Sequence, residues 1–296
     1  MLKRLKPYMM PLSITVGALF YKFFDMLSFL TPYLIFVMLF LTYCTLHLKQ
    51  MRLTRLHFWL ILIQIFGSLA VFFILSPFNI TIAQGVMICV LVPTGTAAPV
   101  ITGMLKGNIG SLTTYSLLSN MCVALAAPVI FSLVGSYQSL PFIESFLSIS
   151  QKVFVLLFLP FALVILLRKI IPSLTDKLAT YSGLSFYFWS LALCVVTGRT
   201  VVFIMKQNGN SHLIEILVAF FALVVCVSQF LIGRWIGKKY KDTIAGGQGL
   251  GQKNTILAIW MAQMYLNPIA SIGPGSYVLW QNIINSYQVW LHRKTL

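Results

Sequence analysis

The chain has 296 residues, of which 59% are hydrophobic and only 9% are charged, and its mean hydropathy is +0.91. This composition excludes a water-soluble enzyme or binding domain and is typical of an integral membrane protein. The net charge of +16 does not indicate a nucleic-acid partner, because the basic residues are dispersed between apolar runs. The five cysteines are scattered singly, without the close spacing of a metal site.

The apolar segments predict about ten membrane-spanning helices, because a span needs about 20 apolar residues. These segments fill the chain and leave no sequence for a separate extramembrane domain. The predicted fold is therefore an all-α polytopic membrane protein. In chain order the predicted spans cover residues 8–24, 29–47, 56–75, 80–104, 109–135, 148–167, 183–205, 212–236, 243–266 and 270–291.

The basic residues indicate the orientation of these spans. Sixteen of them fall in loops on one predicted face and three on the other, with Arg199 and Lys253 inside spans. Cytoplasmic loops are enriched in lysine and arginine, so both termini are predicted to be cytoplasmic, in an inner or plasma membrane. The basic residues of the cytoplasmic face are Lys3, Arg4, Lys6, Lys49, Arg52, Arg55, Lys106, Arg168, Lys169, Lys177, Arg234, Lys238, Lys239, Lys241, Arg293 and Lys294, and those of the outer face are Lys22, Lys152 and Lys206.

Two of the ten segments are interrupted near their middles. The fourth contains two prolines and a glycine, and the ninth contains a polar, glycine-rich run that ends at Lys253-Asn254. Places four and nine are equivalent in two five-span halves, 1–135 and 136–296, which would insert with opposite orientations. Paired interruptions of this kind point to the midplane site of a secondary transporter. The predicted helix-crossover residues are Pro93, Thr94, Gly95, Pro99, Gly249, Gly251 and Gln252.

The alternative is that both interruptions are ordinary kinks or short loops. If the two broken helices cross, the beginnings of their second halves present free N–H groups and positive dipole ends, which attract a carboxylate or sulfonate. The predicted partners are then a small-molecule organic anion and the surrounding lipid bilayer. The sequence leaves the oligomeric state open.

The interrupted segments resemble those of the bile acid:sodium symporter family. The resemblance implies two inverted five-helix repeats, arranged as a panel and a core in which segments four and nine cross. It also implies substrate contacts at Thr96, Asn254 and Gln281, to which we add the neighbouring Lys253 and Asn282. The residues that carry it are Pro93-Thr94-Gly95-Thr96-Ala97-Ala98-Pro99-Val100-Ile101-Thr102, Gly107-Asn108, Gly249-Leu250-Gly251-Gln252-Lys253-Asn254, Pro274-Gly275 and Trp280-Gln281-Asn282-Ile283.

The sodium ligands of the family are where this sequence departs most. The shared glutamate of segment nine falls on Gly249, and the following glutamine falls on Lys253. An ammonium 4 Å from sodium would repel it by about 4 kcal/mol at an effective dielectric constant of 20. We therefore predict no bound sodium and no other cofactor or metal. The remaining positions of the degenerate sodium sites are Ala98, Pro99, Leu112 and Ser116, of which only Ser116 keeps a hydroxyl group.

These observations predict a secondary transporter of an organic anion, with a bile-acid-like, steroid-conjugate or small carboxylate substrate. Lys253 would replace the sodium charge, and transport would be uncoupled or coupled to protons. One alternative is that Lys253 extends to the membrane surface and does nothing specific. A second is a sodium symporter whose ligands include backbone carbonyls and Gln248 or Gln252. A third is a membrane receptor or scaffold that binds an anion without moving it.

Overall fold

A computed structural model describes residues 9–46, 51–135, 141–206 and 212–294. Within these ranges the protein is helical and has no β-strand, which confirms the all-α prediction. The basic residues Lys3, Arg4, Lys6 and Lys49 lie outside the described residues. The helices are α1 Met9–Leu19, α2 Tyr21–Met26, α3 Thr31–Cys44, α4 Arg55–Leu75, α5 Ile80–Leu91, α6 Ala98–Met104, α7 Ile109–Val134, α8 Phe142–Ile170, α9 Pro172–Thr180, α10 Ser185–Met205, α11 Leu213–Lys239, α12 Thr243–Gly251, α13 Thr255–Tyr265 and α14 Ile272–Lys294, with short 3-10 helices at Ser28–Leu30, Ser182–Leu184 and Pro268–Ser271.

Among the described residues, five helices are long and apolar enough to cross a membrane. They are α4, α7, α8, α10 with the preceding 3-10 turn, and α11. Four shorter apolar helices, α1, Ser28–Cys44, α5 and α13, have 10 to 17 residues. The helix α14 is 23 residues long but is less apolar than the five spans, because several amide side chains lie along it. The protein is an integral membrane protein, and the arrangement of ten spans stays a prediction.

The chain folds into two compact units. One contains Met1–Leu46 and Val155–Ser211, and the other contains His47–Phe154 and His212–Leu296. Each unit takes segments from both predicted repeats, 1–135 and 136–296. Repeats are defined by sequence order and orientation rather than by packing, so their existence stays a prediction.

In the first unit, α10 packs against α1, α2 and α3. The buried hydroxyls of Ser13 and Ser190 form a hydrogen bond of 2.5 Å between α1 and α10. Arg168 of α8 donates hydrogen bonds to the backbone oxygens of Leu46 and Cys44, the latter at 2.8 Å from Nη2. These carbonyls lie at the end of α3, where a cation also interacts favourably with the helix dipole.

In the second unit, two short helices occupy the centre. Every residue of α5 from Thr81 to Leu91 is buried, as is every residue of α12 from Ala245 to Gly251. The glycines of α12 bring it into backbone contact with α11, since a Cβ on Gly246 would overlap the backbone oxygen of Gly233. Because these helices are only 12 and 9 residues long, each spans less than 20 Å at about 1.5 Å per residue and ends inside the unit.

Candidate functional site

The second unit contains two helix interruptions with identifiable causes. Val92 follows α5 with ψ 146°, an extended conformation that is favoured because proline 93 disfavours a helical residue before it. Gln252 follows α12 and is also extended, with ψ 105°. Helices resume at Ala98 and Thr255. We call residues 92–97 and 252–254 the paired breaks.

The paired breaks bind each other through their backbones. Thr94 and Lys253 form an antiparallel bridge. On one side the N–H of Gly95 donates to Gln252 O at 2.9 Å, and on the other the N–H of Asn254 donates to Pro93 O at 2.9 Å. Buried backbone groups need hydrogen-bond partners within the protein, so this pairing removes a main cost of interrupting two helices there.

Two further features hold the paired breaks close together. The hydroxyl of Thr94 donates to Gly249 O at 2.9 Å, which satisfies a carbonyl near the end of α12. A Cβ on Gly95 would lie only 2.6 Å from Lys253 O. Position 95 therefore requires glycine because the backbones approach so closely.

The side chain of Lys253 is buried, with 1% of its surface exposed. Its Nζ donates hydrogen bonds to Val90 O at 2.8 Å and Val92 O at 3.1 Å, at the end of α5. The end of a helix has unpaired carbonyls and a partial negative charge, so an ammonium group is well placed there. Within the part of the chain that the structure describes, Lys253 forms no ion pair with a carboxylate. The side chain does not extend to the surface.

A second donor to the end of α5 is Gln64 of α4, which is fully buried. Its Nε2 donates to Leu91 O at 2.7 Å and to Val92 O at 3.2 Å. Its Oε1 accepts hydrogen bonds from the hydroxyls of Tyr115 at 2.7 Å and Ser119 at 2.8 Å, both in α7. The amide thus joins three helices at the first break.

A comparable contact is made by Gln229 of α11. Its Nε2 donates to Cys89 O at 3.2 Å and to the hydroxyl of Tyr277 at 3.0 Å, and that hydroxyl donates to Gly251 O at 2.9 Å. The carbonyls of residues 89–92 all receive side-chain donors. Sequence reasoning missed Gln64 and Gln229. The available signal was an isolated amide within an apolar run.

The predicted substrate residues have different surroundings. The structure brings Lys253, Asn254 and Gln281 together, because Gln281 Oε1 accepts from the backbone N–H of Lys253 at 2.9 Å. Asn254 caps α13 by accepting from Leu257 N at 3.3 Å. Asn282 Nδ2 donates to Val278 O of its own helix at 2.6 Å. Thr96 is half-buried just before α6. Their contact with a substrate stays a prediction.

The predicted positions of the degenerate sodium sites are largely filled by apolar groups. A Cβ on Gly249 would lie 2.8 Å from Cδ1 of the Tyr115 ring, so a longer side chain cannot enter without moving that ring. Ala98 and Leu112 pack with Ala245 in a buried hydrophobic cluster. Sodium requires several oxygen ligands, which these side chains do not offer.

The two other sodium-site positions lie nearby. Pro99 lies in the first turn of α6 and is half-buried. Ser116 is also half-buried, and its backbone oxygen accepts a hydrogen bond of 2.8 Å from the amide of Asn120. Ser116 contributes one hydroxyl group to the predicted sodium-site positions, and the absence of bound sodium stays a prediction.

A family model described as the Sodium Bile acid symporter family matches residues 32–208, which is more than half of the chain. The chain belongs to this family. Members of the family are transporters rather than enzymes, so the protein is a membrane transporter. The matched residues include the first of the paired breaks and stop before the second. No curated protein matched the chain.

Proposed function

We propose that this family member is a secondary active transporter of an organic anion that works without sodium. In this proposal the ammonium of Lys253 supplies the positive charge that sodium supplies in the family. The observation that carries it is the pair of hydrogen bonds from Nζ to Val90 O and Val92 O. An ammonium and a sodium ion both bind carbonyl oxygens, but the ammonium is attached to the chain and stays in place.

The surroundings of the paired breaks support the loss of sodium. The ring of Tyr115 lies against Gly249, and the cluster of Ala98, Leu112 and Ala245 is apolar. Restoring a glutamate at position 249 would require Tyr115 to move. These changes are mutually consistent: the carboxylate is gone, its space is filled, and one fixed cation is present.

We further propose that the second compact unit is the core and the first is the panel, and that alternating access moves one against the other. Two contacts within the core support the inverted repeats. Gln64 and Tyr115 pair between the third and fifth predicted spans, and Gln229 and Tyr277 pair between the eighth and tenth. These places are equivalent in the two halves of the chain.

The proposed substrate is an organic anion of the bile-acid, steroid-conjugate or small-carboxylate class. A buried, unpaired ammonium creates a positive potential at the paired breaks, which favours an anion bound near Thr96, Asn254, Gln281 or Asn282. The proposed coupling is to protons or to no ion. In this proposal Lys253 acts on the substrate through this potential and not by direct contact, since its Nζ is bound to the end of α5.

Uptake into proteoliposomes tests the proposal. Taurocholate, estrone sulfate and pantoate are supplied in sodium buffer or in choline buffer of equal ionic strength, with and without a pH gradient. We expect accumulation of one of these anions in choline buffer, and we expect Lys253→Gln to abolish it. The matched control is Lys239→Gln, which changes an exposed lysine of α11. Accumulation that requires sodium would overturn the proposal.

The melting temperature of the purified protein gives a test that needs no substrate. A ligand that binds only the folded state raises the melting temperature by mass action. We expect no difference between sodium and choline at constant ionic strength. A saturable, sodium-specific rise would instead support the symporter in which Gln248 or Gln252 binds sodium. The side chains of both residues are hydrogen-bonded to Asn285 in the structure.

A non-transporting receptor would give a different result in the same vesicles. It would bind the labelled anion saturably, and the bound amount would not increase with the internal volume of the vesicle. We expect accumulation that scales with internal volume, because the chain belongs to a transporter family.

A further inference from the structure

A groove of about 570 Å³ lies within the second compact unit, away from the paired breaks. Most of its lining residues belong to α11 and α14, and Leu105 and Ile244 also line it. The wall residues are mostly apolar, and Leu231 and Leu291 are exposed at 62% and 39%. An exposed apolar surface of this kind in a membrane protein is suited to acyl chains, and the volume is within the range of small-molecule sites, about 300–1,000 Å³.

One end of the groove is basic. The contacts of Trp280 with Ala219 O and of Arg234 with Gln288 indicate that α11 and α14 run in the same direction. Both helices therefore end at the same end of the groove. Arg234 lies in the groove wall, and the exposed Lys238 follows it one helical turn later, close to the end of α11.

Arg234 is held in place by its neighbours. Its Nη1 donates to Gln288 Oε1 at 3.2 Å. Its aliphatic stem lies against α12, because a Cβ on Gly247 would be only 2.5 Å from Arg234 Cγ. A guanidinium has five N–H donors, and this hydrogen bond takes one of them. A positioned arginine beside an apolar groove matches a ligand that has a phosphate and a hydrocarbon chain.

We propose that this groove binds an anionic phospholipid of the surrounding bilayer. An acyl chain covers the apolar wall from Val227 to Leu231, and the phosphate group binds Arg234 with Lys238 nearby. The lipid is the occupant we favour because the groove opens through exposed apolar residues and carries its basic group at the helix ends, where headgroups lie. Basic pockets between membrane helices are a recurring form of lipid recognition.

The headgroup end is connected to the paired breaks by a chain of amides. Gln248 Nε2 lies 3.5 Å from Gln288 Oε1 and donates to Asn285 Oδ1 at 2.8 Å. Asn285 in turn donates to Gln252 Oε1 in the second break. A lipid that fixes Arg234 and Gln288 would therefore stabilise the positions of these amides. The bound lipid is expected to support transport as well as folding.

The test measures the melting temperature of delipidated protein in detergent during titration with phosphatidylglycerol, and with phosphatidylcholine of the same acyl chains. We expect a saturable rise with phosphatidylglycerol and a much smaller one with phosphatidylcholine. Arg234→Gln should raise the apparent Kd for phosphatidylglycerol, read from the titration, by about tenfold or more, because a charge-assisted contact with phosphate is lost. The control is Lys239→Gln, which also removes a charge from α11. The ammonium of Lys239 contacts the ring of Trp235 and does not line the groove.

A second pair of variants tests the apolar wall without changing charge. Val227→Phe places a ring in the groove, and Val224→Phe makes the same change at another exposed valine of α11. We expect only the first to weaken phosphatidylglycerol binding. Equal rises in melting temperature with the two lipids would overturn the proposal. So would an equal loss of phosphatidylglycerol binding in Val227→Phe and Val224→Phe. An equal stabilisation by glycerol phosphate or taurocholate would also overturn it, because the occupant would then be a soluble anion.

Discussion

The aromatic ring of Tyr115 lies against the backbone of Gly249, in space that any side chain at position 249 would need. The hydroxyl of the same tyrosine donates to Gln64, which in turn donates to the end of α5. The residue that packs against the predicted sodium-site position Gly249 therefore also helps to hold the first break.

We expect Gly249→Ala to destabilise the protein by about 1–3 kcal/mol, because its Cβ would lie 2.8 Å from Tyr115 Cδ1 and the ring must shift. Thermal unfolding in detergent measures the effect. The control is Gly275→Ala in α14, where an added Cβ meets no atom within 4 Å. If both variants melted at the same temperature, the packing of Tyr115 on Gly249 would not be stabilising.

A chemical rescue tests the fixed cation. Lys253→Ala removes the side-chain donor to Val90 O, while Val92 O keeps its hydrogen bond from Gln64. We expect a loss of about 1–3 kcal/mol from the unsatisfied carbonyl. Propylammonium chloride matches the deleted atoms and should raise the melting temperature of the variant. Tetramethylammonium chloride cannot donate a hydrogen bond and should not. Equal effects of the two salts would contradict the role of the ammonium.

The hydrogen bond between Gln64 and Tyr115 can be measured by a double-mutant cycle of Gln64→Leu and Tyr115→Phe. Gln64→Leu leaves the buried hydroxyl of Tyr115 without its acceptor and should cost about 1–3 kcal/mol. Tyr115→Phe should cost less, because Gln64 Oε1 keeps its hydrogen bond from Ser119. The double change should cost less than the sum of the two, because residues in one network are coupled. Additive costs would show that the 2.7 Å contact contributes no coupling energy.

Glycine at position 95 is required by the close approach of the paired breaks. We expect Gly95→Ala to prevent correct folding or to lower the melting temperature strongly, since its Cβ would lie 2.6 Å from Lys253 O. Gly183→Ala is the control, because that position has no atom within 4 Å of an added Cβ. A Gly95→Ala protein with unchanged stability and uptake would argue against rigid pairing of the breaks.

The predicted orientation can be tested with single added cysteines at Lys177 and Lys206, which are both exposed. The five native cysteines are buried or half-buried, so labelling of the unsubstituted protein should be low. In intact cells, a membrane-impermeant maleimide should label Lys206→Cys and not Lys177→Cys. Permeabilisation should expose both. The reverse pattern would place the termini outside.

Much of the fold follows from hydrophobic length alone. The sequence predicts spans at 56–75, 109–135 and 183–205, and the structure has helices at Arg55–Leu75, Ile109–Val134 and Ser182–Met205. Other elements of the fold do not follow from hydrophobic length. Pro172–Thr180 is a separate amphipathic helix that lies between the predicted spans 148–167 and 183–205. Its short length and mixed composition do not indicate a membrane span, so this helix cannot be predicted from hydrophobic length.

The candidate site was predictable in part for a related reason. Proline 93 and the glycines around position 249 alter the backbone wherever they occur, so both interruptions can be read from the sequence. The side chains that donate hydrogen bonds to these interruptions cannot be read from the sequence. Gln64 donates to a carbonyl 27 positions away and Gln229 to one 140 positions away. An isolated amide in an apolar run signals a buried hydrogen bond, but only the folded chain shows which group receives it.

The attachment of the Lys253 ammonium to the chain has an energetic consequence for the proposed transporter. A dissociable ion enters from one compartment, leaves into the other and releases the free energy of its gradient. A tethered ammonium makes no such journey, so it contributes no driving force. Accumulation of the anion would then depend on the membrane potential, a proton gradient or exchange for another anion. The paired breaks would also be held by a contact within the chain, from Lys253 to Val90 O and Val92 O, rather than by a cotransported ion.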